Sequence, residues 1–253
     1  MNNSLCDHSL TYKGWWKIKN IPHVLRAMGI RRAINSMGRK SVSCYFDVGC
    51  SNGYITNLVA SILNPEEVVG WDHTEANLDL GRQRYPHILF KCIDLNNPNE
   101  SLKKADLVTC FETLEHVGNI EAALRNIYLM VKPGGFILIS VPIESGLVGA
   151  IKYLIKTKIF RYTLDELSTD SNFRKNYEKA LFSGADISSF RNQRDGWGSH
   201  FGFDYRLLEE YLFKNDNDIQ KWTLGTTIFY LFQRGIPACT GGGVSKVPRL
   251  PVE

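Results

Sequence analysis

Ser43-Cys44-Tyr45-Phe46-Asp47-Val48 runs directly into Gly49-Cys50-Ser51-Asn52-Gly53 and then into Tyr54-Ile55-Thr56-Asn57-Leu58-Val59. The first run is short, apolar and bounded by turn residues, which reads as a buried strand. Ile55, Leu58, Val59 and Ile62 follow at helical spacing until Asn64-Pro65 stops them. Strand, glycine-rich turn and helix in 22 residues are the first unit of a parallel sheet, because parallel neighbours need a crossover and a helix usually supplies it. The pattern repeats outward. Strands are expected at Glu67 to Trp71, Ile88 to Ile93, Ala105 to Cys110 and Phe136 to Val141. A second helix from about Asn119 has the face Ile120, Ala123, Leu124, Ile127 and Val131. Lys132-Pro133-Gly134-Gly135 should end it, with a cation at the negative end of its dipole. A third helix, Phe203 to Phe213, precedes Ile219 to Leu224 and Thr227 to Phe232, an antiparallel pair around Gly225. The expected fold is α/β: a Rossmann-like, doubly wound, mostly parallel seven-stranded sheet with an antiparallel last strand.

The 253 residues are 43% hydrophobic and 22% charged, which suits one large domain with appendages and excludes collagen, coiled coil and wholesale disorder. A net charge of +4 is too small by itself to indicate a nucleic-acid partner. The six cysteines are scattered without a C-x-x-C pair, so free thiols in a reducing compartment are expected rather than disulfides or zinc. No apolar run reaches membrane-spanning length and Met1 to Leu10 is polar, so a cytoplasmic location is expected.

Ligands of such sheets bind at the carboxyl ends of the strands, and the first turn is the usual contact. Glycines at 49 and 53 let backbone approach a ligand, and the next helix presents its positive N-terminus. The dinucleotide fingerprint G-x-G-x-x-G would need glycine at 51 and 54, where Ser51 and Tyr54 stand. The D-x-G-x-x-x-G pattern of Asp47, Gly49 and Gly53 instead resembles motif I of the class I methyltransferases that use S-adenosyl-L-methionine, type 11/23-like in kind. Phe111-Glu112-Thr113-Leu114-Glu115-His116-Val117 and Val131-Lys132-Pro133-Gly134-Gly135-Phe136 resemble that family's later motifs in the same order. The resemblance implies that Asp72 grips the cofactor's ribose, that Asp94 meets the adenine amino group with Leu95 beside it, and that Phe111 adjoins the cofactor. The commonest family form has glycine where Ser51 stands. A serine there needs an allowed backbone conformation, and its hydroxyl can bond the methionine end of the cofactor.

Methyl transfer from an activated sulfonium needs positioning first, and a base only where the acceptor must lose a proton. Glu112, Glu115 and His116 are the candidate catalytic groups, and three readings stay open. His116 can serve as general base, as in the ubiquinone-biosynthesis O-methyltransferases that this segment resembles. Alternatively Glu112, Glu115 and His116, with His200, can hold Mg²⁺ or another divalent metal, an arrangement similar to that of small-RNA 2′-O-methyltransferases. In the third reading Glu115-His116 only caps the next helix and shapes the pocket.

Three segments lie outside the core, which is expected over residues 41–235. Residues 1–40 carry eight basic residues, Arg26 among them, against Asp7, and read as a basic helical cover with Ile18, Ile21, Leu25, Met28 and Ile34 on its apolar face. Residues 143–199 form an inserted cap, with Trp197 and Phe201 offering stacking surface to an acceptor. Within it, Leu147 to Arg161 reads as an amphipathic basic helix with Val148, Ile151, Ile155 and Ile159 in one stripe. The stripe either packs on the core as a lid or lies on an anionic membrane surface as a peripheral contact at its inner face. Residues 236–253, rich in glycine and proline, read as a disordered tail. The expected function is O-methylation of a small-molecule or lipid-linked acceptor, a quinone, phenol or sugar. The alternatives are a metal-dependent RNA 2′-O-methyltransferase and a non-catalytic S-adenosyl-L-methionine-binding subunit. No RNA-binding module is present, so nucleic acid is not the expected partner.

Overall fold

The computed structural model describes residues 20–37, 41–97, 103–159, 170–191, 193–194, 197–215 and 218–235. The tail and the first half of the basic cover lie outside the described residues, as does Arg161.

The elements follow as α1 (Ile21–Ser36), β1 (Cys44–Val48), α2 (Tyr54–Leu63), β2 (Glu67–Asp72), α3 (Glu75–Arg84), β3 (Leu89–Cys92), β4 (Ala105–Phe111), α4 (Ile120–Met130) and β5 (Val131–Pro142). After β5 come α5 (Gly146–Leu154), continued by a π-turn at Ile155–Ile159, then α6 (Ser171–Ser183), a short hairpin of β6 (Gln193–Arg194) and β7 (Trp197–Gly198), α7 (Tyr205–Asn215), β8 (Gln220–Leu224) and β9 (Thr227–Gln233). Seven strands form one sheet in the order β3-β2-β1-β4-β5-β9-β8, parallel except for β9, which runs antiparallel to both neighbours. The order reverses between β1 and β4. There the carboxyl ends of the two strands leave a cleft, with Asp47 in register with Gly70 on one side and Thr109 on the other.

Strands covered on both faces should be apolar throughout, and β1 is buried at all five positions. Alternate residues serve opposite faces. Phe46, Val48, Val108, Cys110 and Ile139 pack with Ile127 and Met130 of α4 and Leu208 and Leu212 of α7. Tyr45, Leu107, Leu138 and Phe229 pack with Ile30 and Ala33 of α1, Val59 of α2 and Leu78 of α3. A third, smaller cluster of Ala150, Tyr153, Tyr177, Leu181, Ile187 and Phe201 gives the segment between β5 and α7 its own core. Cys44, Cys50, Cys92 and Cys110 are free thiols.

Three expectations change. α4 does end at Met130, directly before Lys132-Pro133-Gly134-Gly135, but that segment is an irregularity inside β5 rather than a turn leading to it: Val131 pairs with Ala105, Gly134 takes φ +78°, and regular pairing resumes at Phe136 with Leu107. Gly134 and Gly135 bond with the Arg234 backbone, and the Lys132 ammonium reaches Asp106 at 2.8 Å instead of the helix end. On α1 the buried face is Gly29, Ile30, Ala33 and Ile34, whereas Ile21 and Met28 are exposed. On α5 the core-facing residues are Gly149, Ala150 and Tyr153, and the Val148, Ile151, Ile155, Ile159 stripe faces solvent, so it does not pack as a lid on the core.

Candidate functional site

The cleft is built around the turn after β1. Gly49 and Cys50 donate their N–H groups to the Trp71 carbonyl at 2.7 and 2.9 Å, which folds the turn over the end of β2. Gly49 has φ +77°, and a Cβ there would sit 2.0 Å from Thr113 Oγ1, so only glycine fits. Ser51 also lies in the left-handed region, at φ +49°. Its N–H donates to Asp72 Oδ2 at 2.9 Å, while Asp72 Oδ1 accepts from Thr74 N–H at 2.9 Å. Asp72 therefore joins the first turn to the start of α3 at the cleft edge. Ser51 Oγ is buried and unbonded among the described residues, and Gly53 at φ +76° starts α2 with its N-terminus toward the same space.

Asp47 is buried beneath the turn. Its two oxygens accept from Thr56 Oγ1 and Thr109 Oγ1, both at 2.6 Å, so it positions the turn from the floor of the cleft that it lines. Burial outweighs these two bonds and pushes its carboxyl up to about 6. Leu95 and Phe111 line the cleft as expected, with Ile93 and Trp71. Asp94 is turned away: its carboxylate accepts from Asn96 and Asn97 in its own loop, leaving Ile93 and Leu95 as that wall.

Past β4 the chain turns sharply, with Glu112 at φ +48°. The Glu112 carboxylate accepts from Arg26 of α1 at 2.6 Å and from Ser140 at 3.2 Å. Glu115 is 2% exposed, burial together with the Glu112 charge raises its carboxyl well above the usual range, and its Oε2 has no hydrogen bond among the described residues. His116 lines the cleft. Its Nδ1 lies 2.9 Å from the Gly198 carbonyl, which can only accept, so Nδ1 carries a proton, and in the neutral ring the lone pair is on Nε2. Nε2 stands 3.9 Å from Glu115.

His200 sits behind His116, the two rings 6.3 Å apart, and accepts from Lys156 Nζ at 3.0 Å. Burial pushes its imidazole down to about 4. The expected metal set is therefore not assembled. Glu112 is held by Arg26 and Ser140, Glu115 is buried, and His200 faces a lysine. Among the described residues no three His, Cys, Asp or Glu side chains form a donor group for a metal.

One contributor was not anticipated from sequence: Arg26 reaches the cleft from α1, although no spacing marks it among the basic residues of residues 1–40. Trp197, expected as stacking surface, lines the cleft and stacks on His73 at 3.9 Å and 12°, next to Asp72. The hairpin that carries it is stitched to the segment after β4: Gly198 N–H donates to the His116 carbonyl, and Arg191 donates to the Glu115 and Val117 carbonyls.

The comparisons agree with this geometry. Residues 46–137 match the family described as methyltransferase domain. Protein 235L of Invertebrate iridescent virus 6, which bears a methyltransferase name, is 34% identical over 111 residues, 44% of this chain and 42% of that protein. A ubiquinone biosynthesis O-methyltransferase of Coxiella burnetii is 27% identical over 136 residues, 50% of this chain and 56% of that protein. The chain thus matches about half the length of these curated relatives. The solved structures of the methyltransferase domain of bacterial CtHen1 (TM-score 0.52, 13% identity, 83% of this chain and 97% of that one) and of the plantazolicin methyltransferase BpumL (TM-score 0.54, 12% identity, 90% of each) share the fold. The strand order, the glycine turn that only Gly49 fits, Asp72 at the cleft edge and the match converge on one conclusion: residues 46–137 form a methyltransferase domain, and the sheet around them has the class I methyltransferase fold.

Proposed function

We propose that the protein transfers a methyl group from S-adenosyl-L-methionine to an oxygen of a small-molecule or lipid-linked acceptor, a quinone, phenol or sugar, with His116 as the general base. The observation that carries this reading is the His116 geometry: Nδ1 is committed to the Gly198 carbonyl, and in the neutral ring Nε2 holds the lone pair on a residue that lines the cleft. The cofactor, when bound, supplies an activated methyl group. Asp72 would hold its ribose, the backbone of Gly49 to Gly53 and the buried hydroxyl of Ser51 its amino-acid end, and Ile93, Leu95 and Phe111 its base. His116 would accept the acceptor's hydroxyl proton at Nε2. The similarity to the Coxiella burnetii ubiquinone biosynthesis O-methyltransferase supports an oxygen acceptor. The donor geometry gives no support to the metal-dependent RNA reading.

Turnover on catechol and quinol acceptors, measured beside calorimetry with S-adenosylhomocysteine, tests the proposal. His116→Ala should lower turnover by about 10²- to 10⁴-fold and leave homocysteine-product binding unchanged. Equal loss of both would make His116 structural, and binding without turnover on any oxygen acceptor would favour a non-catalytic subunit.

A further inference from the structure

The segment from Gly146 to Ile159 presents two faces of opposite destination. Gly149, Ala150 and Tyr153 are buried, the last against Tyr177 of α6. Leu147, Val148, Ile151, Leu154, Ile155 and Ile159 are between 40% and 77% exposed. Residues 147, 151, 155 and 159 recur every four positions, so they form one continuous aliphatic ridge along about 20 Å of helix. Isolated exposed aliphatics are ordinary, but six on one element make a contiguous patch that needs an occupant.

The charges of the ridge's own element are one-sided. Gly146 to Ile159 contains Lys152, Lys156 and Lys158 and no acidic residue. Lys152 and Lys156 turn inward to Glu144, which is buried, and tie the element to the fold. Lys158 is exposed beside Ile159; on α6, which packs against α5, Lys175 and Lys179 are exposed, while Glu178 is engaged by the Tyr153 hydroxyl at 2.7 Å and Arg174 lies near the same ring. Among its described residues the exposed face of α5 and its π-turn holds aliphatics and lysine and no arginine or aromatic residue; Phe182 of α6, 50% exposed, packs edge-on against Tyr153. Protein-binding patches are enriched in aromatic residues, Met and Arg and depleted in Lys, the reverse of this composition. Aliphatic residues with flanking lysines match an anionic bilayer, where the aliphatics enter the headgroup boundary and the lysine stems extend to the phosphates.

We propose that α5 and its π-turn are a membrane-docking element that lies flat on an anionic lipid surface. Among the described residues no helix is long and apolar enough to cross a membrane, so the element rests on the bilayer rather than spanning it. The proposal does not depend on the acceptor or on the role of His116.

Co-sedimentation of the full chain with vesicles of equimolar phosphatidylcholine and phosphatidylglycerol, and with pure phosphatidylcholine vesicles, tests it. The wild type should pellet with the anionic vesicles, more weakly at high salt, and much less with the neutral ones. Ile151→Glu/Ile155→Glu should reduce the apparent affinity roughly tenfold or more with an unchanged melting temperature. Leu147→Glu, at the most exposed position, repeats the test if the double variant misfolds. A wild type that stays in the supernatant, or a folded double variant that pellets like the wild type, overturns the proposal. So does a wild-type dimer that the double variant splits while neither protein binds vesicles, because the occupant would then be a second copy.

Discussion

Besides Gly53, three residues of the cleft take up left-handed backbone, and they do so for different reasons. At Gly49 the conformation and the missing Cβ are both required, since φ is +77° and Thr113 fills the place of a side chain. Gly49→Ala should lower stability by about 1 to 3 kcal/mol and abolish S-adenosylhomocysteine binding, as read by thermal melting and calorimetry. Ser51 at φ +49° explains why glycine is the commoner residue there in relatives of this kind: the turn demands a conformation that glycine adopts freely. The serine keeps the turn and adds a buried hydroxyl that has no bond within the described protein. Glu112 at φ +48° is the third, anchored through its backbone N–H and its carboxylate to Ser140 and through Arg26 to α1.

At the scale of elements, the β6–β7 hairpin is the part of the cap that meets the core. It pairs with Val117 and sets Trp197 on His73, so one short hairpin spans the cleft from the segment after β4 to the end of β2. A nucleoside held at Asp72 would have this stack as a wall. Trp197→Ala should then weaken S-adenosylhomocysteine binding by roughly fivefold to a hundredfold, while Trp197→Phe retains most of it. Unchanged calorimetric affinity in Trp197→Ala would mean that the ring only packs the cap. The π-turn at the end of α5 belongs to the same scale. It carries Ile155 and Ile159 on the same ridge and leaves Thr157 Oγ1 bonded back to the Tyr153 carbonyl.

For the whole molecule, the buried titrating groups oppose one another between about pH 4 and 6.5. His200 is pushed down from 6.5 to about 4, so the unfolded chain binds its proton more readily. The stability it contributes is present above 6.5 and is lost as pH falls toward 4, about 3 kcal/mol in all. Asp47 is raised from 3.8 to about 6, so the stability of its protonated form is lost as pH rises through the same window, again about 3 kcal/mol. Glu115, raised by burial and by Glu112, acts in the same direction as Asp47. His200→Gln, which still accepts from Lys156, removes only the first effect. Its melting temperature should fall as pH rises from 4.5 to 6.5, whereas that of the wild type should change less. Superimposable profiles would show that His200 is protonated alike in the folded and unfolded chains.

The fold was legible because its determinants are local. The period of the apolar residues distinguishes strands from crossover helices, and parallel strands buried on both faces leave few arrangements open, so 43–141 announces a doubly wound sheet. The glycine turn and Asp72 were legible for the same reason, since each sits next to the strand that positions it. Other determinants act across the fold. Lys132-Pro133-Gly134-Gly135 reads as the end of a helix, which it is, but only Arg234, about a hundred residues later, makes it part of a strand as well. Asp94 resembles a ligand until Asn96 and Asn97 take its oxygens, and Glu112, Glu115, His116 and His200 resemble a metal set until Arg26, burial and Lys156 supply other partners. The α5 period shows an apolar stripe but not its direction, because both faces of the helix are apolar. The sequence by itself therefore determined the sheet, the turn and the class of chemistry. Which partners the carboxylates take, and which face of α5 stays exposed, was decided by tertiary packing alone, because both depend on neighbours far apart in the chain.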